Sequence, residues 1–248
     1  PPGAAPPRWL EAQLHAEVQA FGSWCSAAAF GRRPLETNAL HRLSVLARRL
    51  IPGATVRLFG SFCTGLAVPD SDVDVVVCNS VPATPRHFQM LAAGLRAEPW
   101  VTSLTAVPTA QVPVIKVTTE GPPGSTRPIR LDITFDTPSH RGRDTTSLVV
   151  SLLSVLPPLA PLVLFLKQLL AEHNLHAPFT GGLSSYGVLL LATCFLQQEL
   201  DQRFVHPAPK ADLAAPLLPP SPLLGTLLLR FLYYYGYEVD PNLFGVSV

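Results

Sequence analysis

Charge is scarce in this chain. Of 248 residues, 18 are Lys or Arg and 17 are Asp or Glu, so only 14% carry charge and the net charge is +1. That balance excludes a strongly basic nucleic-acid binder. Any contact with RNA or DNA has to be local, or helped by a partner. Cysteine is also sparse: Cys25, Cys63, Cys78 and Cys194 form no CxxC pair, and no His spacing suggests zinc. A disulfide framework is therefore excluded, and four reduced thiols in an intracellular protein are expected. Pro1 to Pro7 has neither a basic segment nor an apolar stretch, so no signal peptide is expected. No internal repeat is visible.

Apolar residues, by contrast, make up 48% of the chain, enough to build a sizeable core. Ser147 to Leu166 runs for twenty residues without a charge, which is the length of a membrane span. Pro157, Pro158 and Pro161 interrupt it, so it reads as a helix end, a turn and a buried helix, and no membrane contact is expected.

Periodicity places the remaining elements. Trp9, Leu10, Leu14, Val18, Phe21 and Trp24 recur at helical steps, predicting a helix over 8–26. Leu35, Leu43, Leu46 and Leu50 predict a second over 34–50, stopped by Pro52-Gly53. Strands are predicted at 56–59, 72–77, 101–107, 112–119 and 127–135, with a helix at 85–98 and a turn at 121–124. From Thr145 onward the pattern is helical, with strong helices at 162–173, 184–198 and 223–235 and an irregular connection at 206–222. The layout is a sheet-containing block set between helical segments.

The chemistry is concentrated in that block. A short apolar strand runs into Gly60-Ser61, and Asp72-Val73-Asp74 opens a β-branched run through Val77. Side chains alternate along a strand, so Asp72 and Asp74 share a face. Two carboxylates side by side repel unless a cation lies between them, and a hard divalent ion with oxygen ligands fits. Gly60 permits close backbone approach, and the Ser61 amide and hydroxyl can meet a phosphate oxygen. Asp132, within the apolar run Leu131-Asp132-Ile133, needs a cation or a partner and is the natural third acid. A bare DxD more often marks a solvated strand edge; it is the company of Gly60-Ser61 and Asp132 that points to phosphoryl or nucleotidyl transfer with two metals.

These residues resemble the DNA polymerase β-like nucleotidyltransferases. More narrowly they resemble the noncanonical poly(A) polymerases and terminal uridylyltransferases. Phe62-Cys63-Thr64-Gly65-Leu66 followed by Pro69, Ser71 and Asp72 is similar to the form found in the nuclear RNA-surveillance branch. Val112 to Lys116, Asp132 to Phe135, Leu164 to Gln168, Phe179 to Tyr186 and Leu227 to Gly236 extend the likeness over roughly residues 8 to 248. The resemblance implies an α/β nucleotidyltransferase domain with a polymerase β-like mixed sheet over 36–138. It is joined to an α-helical central domain, of the poly(A) polymerase-associated kind, over 8–35 and 139–248, in a two-lobed arrangement with a cleft. The helical domain is expected to be incomplete at its C-terminus, because the family's base-selecting loop follows a stretch like Phe244 to Val248.

It also implies roles. Asp72, Asp74 and Asp132 are the catalytic and metal-binding acids, with Mg²⁺ or Mn²⁺ as cofactor. Gly60, Ser61, Thr145, Thr146, Lys167, Ser185 and Tyr186 are the nucleotide-binding residues. Ser61, Lys167 and Ser185 would face the triphosphate, Tyr186 the base, and Thr145 and Thr146 the sugar. Ala171 stands where many relatives have a second basic residue. The implied reaction is template-independent transfer of AMP from ATP to an RNA 3′ end. UTP is the alternative nucleotide, and a polymerase-shaped scaffold without catalysis is the alternative of another class. An RNA-binding protein or helicase partner is expected to supply grip on RNA. A nuclear location is favoured, with cytoplasm and organelle open.

Overall fold

In a computed structural model of the chain, residues 7–79, 83–120, 128–138, 140–205 and 223–240 are described, with 179 and 200–205 as backbone only. The turn expected at 121–124 and the connection at 206–222 lie outside these residues. The chain divides into two compact units, Ser26–Ser151 on the one hand and Pro1–Cys25 with Leu152–Val248 on the other.

The first of these units is built on a mixed five-stranded sheet in the order β1-β2-β5-β4-β3. Its strands are β1 (Thr55–Leu58), β2 (Val73–Cys78), β3 (Val101–Val107), β4 (Val114–Thr119) and β5 (Arg130–Phe135). Among the described residues only the β2–β5 pairing is parallel. Strand β4 starts later than the sequence suggests, because Pro113 has no N–H to give the ladder. On one face Val73, Val75, Val77, Ile115, Val117, Leu131, Ile133 and Phe135 are buried. They pack with Leu43, Leu46 and Ala47 of helix α1 (Arg8–Leu50) and with Phe88, Leu91 and Leu95 of α3 (Pro85–Arg96). Thr84 caps α3 and Pro85 fills its first position, as helix chemistry favours.

The two helices expected at 8–26 and 34–50 are one continuous helix, with Pro34 inside it. Proline removes one helical hydrogen bond. Here Arg32 and Glu36 pair across it at 2.7 Å, with Glu36 buried, and hold the turns on either side together.

The other unit is helical. Helices α5 (Leu159–Glu172), α6 (Ser185–Val205) and α7 (Leu224–Tyr233) bury Leu162, Val163, Leu189, Phe195, Leu227 and Phe231. Gly225 of α7 lies against the backbone of α1, where a Cβ would come within 2.1 Å of the Glu11 carbonyl oxygen. The Leu224 amide donates to His15 Nδ1 at 2.9 Å and Thr226 to Glu11 at 3.0 Å. Helix α4 (Gly142–Val155) ends before α5 begins, so the uncharged run is broken as its prolines require, and no single helix among the described residues is long and apolar enough to cross a membrane. All four cysteines are free thiols.

Candidate metal centre

The face of the sheet opposite the apolar one carries the acids. In the parallel β2–β5 register, Asp74 lies directly beside Asp132, and in the antiparallel β4–β5 register Lys116 lies directly beside Asp132. Asp72 sits one residue before β2 on the same side, beside Arg130. Two cross-strand ion pairs result: Lys116 Nζ to Asp132 at 2.7 Å, and Arg130 Nε to Asp72 at 2.5 Å. Burial works against the Lys116 charge, but the Asp132 hydrogen bond and the charges of Asp132, Asp72 and Asp74 outweigh it and raise its pKa above the usual lysine value. One ammonium thus feels all three carboxylates.

Gly60 is the residue this site cannot change. Its φ of 68° and ψ of −148° place it in a region open essentially to glycine alone. A Cβ there would stand 2.1 Å from an Asp74 carboxylate oxygen. Its N–H donates to Thr146 Oγ1 at 2.9 Å, and that hydroxyl donates to the Gly142 carbonyl at 2.7 Å. Thr146 therefore braces the loop that carries Ser61, the first residue of the short helix α2 (Ser61–Thr64). Thr145 is half-buried in the same first turn of α4.

Three aspartates on adjacent strands supply the hard oxygen donors that Mg²⁺ or Mn²⁺ takes, and Gly60 leaves the room that Asp74 needs. The donor set fits such an ion in kind. It is not assembled as the side chains stand: among the described residues no three His, Cys, Asp or Glu groups could hold a metal ion together. As they stand, Asp132 is engaged by Lys116 and Asp72 by Arg130.

Two supporting features escaped sequence reasoning. The Arg32 guanidinium, oriented by the buried Glu36, donates to the carbonyls of Pro69 and Ser71, and Arg130 donates to that of Asp70. Two arginines thereby clamp the loop leading into Asp72. The only signal in sequence is the four-residue spacing of Arg32 and Glu36. The second feature is His140. Its ring packs edge-on against Phe59 at 4.9 Å. The Thr134 hydroxyl donates to the Val75 carbonyl, so His140 Nε2 donates to Thr134 Oγ1 at 3.1 Å, and Nδ1 is buried without a partner. Burial pushes the imidazole pKa below its usual value.

The other expected nucleotide ligands belong to the helical unit. Lys167 is half-buried on α5, close enough to bear on the Cys25 thiol, whose pKa burial raises and Lys167 lowers. Ser184 caps α6: its hydroxyl accepts from the Gly187 N–H at 2.9 Å. Ser185 and Tyr186 are exposed at the start of that helix.

Residues 25–140 match the family model described as the central palm domain of mitochondrial-like poly(A) RNA polymerase. The chain is 33% identical over 239 residues to the inactive non-canonical poly(A) RNA polymerase protein Trf4-2 of Drosophila melanogaster, covering 95% of this chain and 54% of that protein. It is 34% identical to the poly(A) RNA polymerase gld-4 of Caenorhabditis elegans, covering 94% of this chain and 26% of the relative. Against the terminal uridylyltransferase cid1 of Schizosaccharomyces pombe it is 26% identical, with 82% and 54% covered. The chain thus spans between 26% and 54% of the length of these relatives. The solved polymerase core of TRAMP, an RNA surveillance complex, superposes with a TM-score of 0.74 at 26% identity, over 93% of this chain and 66% of that one. With the mixed sheet and the acid-bearing face already in place, these likenesses settle the fold as polymerase β-like, and the chain belongs to the noncanonical poly(A) polymerase and terminal uridylyltransferase family.

Proposed function

We propose that this protein extends RNA 3′ ends without a template, transferring AMP from ATP. The observation that carries the reading is the register that sets Asp74 beside Asp132 on parallel neighbours, with Asp72 two residues away on the same face. Asp72 and Asp74 would ligate two divalent ions and Asp132 one of them, with Gly60 leaving Asp74 its room. Mg²⁺ or Mn²⁺, when bound, neutralises the triphosphate and lowers the pKa of the attacking hydroxyl. Ser61 would hydrogen-bond the triphosphate, Thr145 would contact the sugar, and Thr146 would hold the Gly60 loop in place for both. From the helical unit, Lys167 and Ser185 would bind phosphate oxygens and Tyr186 would stack on the base. The 3′-hydroxyl oxygen then attacks the α-phosphorus and pyrophosphate leaves.

The names of the relatives favour adenosine, and one of them, cid1, keeps uridine as the second reading. Another relative is named inactive, which is the observation behind the scaffold reading. Three clustered carboxylates argue against it here, since a scaffold gains nothing from like charges side by side. A net charge of +1 leaves few cations for phosphate contacts, so an RNA-binding or helicase partner in a nuclear surveillance assembly is part of the proposal.

The test is extension of a labelled RNA by the full-length protein with Mg²⁺, given each of the four nucleotides in turn. The parent should extend with ATP in preference to the others. Asp72→Ala with Asp74→Ala should abolish extension by more than about a hundredfold, because even outer partners of a metal site cost about ten- to a hundredfold when lost. Extension that survives the double substitution overturns the proposal, and preference for UTP moves it to the second reading.

A further inference from the structure

We propose that Lys116 and Arg130 are built-in stand-ins for the divalent ions: cations supplied by the sheet itself that hold the acids apart before metal arrives and are displaced by it. The inference rests on the metal-site reading above and deepens it.

Its basis is the charge arithmetic of one sheet face. Like charges directly opposite on neighbouring strands destabilise a sheet. Asp74 and Asp132 are such a pair. The next strand over places Lys116 directly beside Asp132, and the next register step along β5 places Arg130 beside Asp72. Each cation takes one acid of the triad, Lys116 engaging Asp132 and Arg130 engaging Asp72. Both belong to the same sheet as the acids, so register alone fixes the arrangement.

Exposure decides whether such pairs lock the site or merely hold it. The Lys116 side chain is 52% exposed and that of Arg130 49%, while Asp132 is 23% and Asp72 37% exposed. Exposed ion pairs are worth little in water. A dication brings twice the charge, and the freed ammonium and guanidinium return to solvent at small cost. A buried lysine would have closed the site. A half-exposed one stabilises the metal-free state and yields.

The proposal predicts a sign that an ordinary structural ion pair does not. Removing Lys116 removes a competitor, so metal should bind more tightly although a stabilising contact is lost. The measurement is Mn²⁺ binding to the full-length protein by calorimetry, without nucleotide or RNA. Lys116→Met should tighten binding by about five- to tenfold, the latter corresponding to about 1.4 kcal/mol. Lys116→Arg, which keeps the charge, should stay near the parent. Arg130→Gln should also tighten binding, and it gives a second reading should Lys116→Met fold poorly. Metal-free Lys116→Met should melt lower than the parent and gain more from added Mn²⁺. Asp74→Asn with Asp132→Asn is the control. If that variant binds Mn²⁺ like the parent, the metal site is lost and this proposal with it. If it abolishes binding while Lys116→Met and Arg130→Gln bind equally or more weakly than the parent, the site stands and the stand-in role is overturned.

Discussion

The two faces of one sheet in this protein obey opposite rules. On one, Val73, Val75, Leu131 and Ile133 are buried and make no demand beyond shape. On the other, residues one position along the same strands carry Asp72, Asp74, Arg130 and Asp132 within reach of solvent. The strand alternation that lets a sheet be half core also lets it be half reactive surface. The first face holds the second in register. The second contributes little to holding the fold, since it gathers like charge and balances it with exposed ion pairs.

That division can be broken experimentally. The largest effect on stability should come from Ile133→Ala, which empties fully buried volume beside Asp132. It should cost about 2–5 kcal/mol, read by denaturant melting, while extension per folded molecule changes little. A smaller effect that crosses between the two rules should follow Gly60→Ala. Its backbone strain should cost about 1–3 kcal/mol. Because the new Cβ drives into Asp74, Mn²⁺ affinity should fall as well. A melt and a calorimetric titration of the same sample check both, and unchanged metal affinity would separate Gly60 from the site.

Much of this arrangement was legible in the sequence, and the limit has a physical reason. Gly60-Ser61, the alternation of Asp72 and Asp74 and the apolar setting of Asp132 are local patterns, and local patterns survive in one dimension. The apolar setting of Asp132 also showed that it needs a cation or a partner. Which cation would answer was not readable. Lys116 and Arg130 acquire their roles only through the exact pairing of β4, β5 and β2, a non-local fact. The unbroken helix through Pro34 was missed for a similar reason. Proline propensity predicts a stop, whereas the Arg32–Glu36 pair spans Pro34, and Arg32 also reaches the Pro69 carbonyl thirty-seven residues away. His140 carried no signal in the sequence, because a histidine in a turn-rich stretch is usually solvated. Here Phe59 and Thr134 enclose it.

Asp132 and Ile133 are chain neighbours on opposite faces, and comparing them puts the account to its most direct test. The measurement is ATP-dependent extension of a labelled RNA by full-length Asp132→Asn, at a temperature where melting shows it as folded as the parent. The account predicts extension reduced by more than about a hundredfold, with stability close to the parent's. Extension at the parent's rate by a well-folded Asp132→Asn would contradict it.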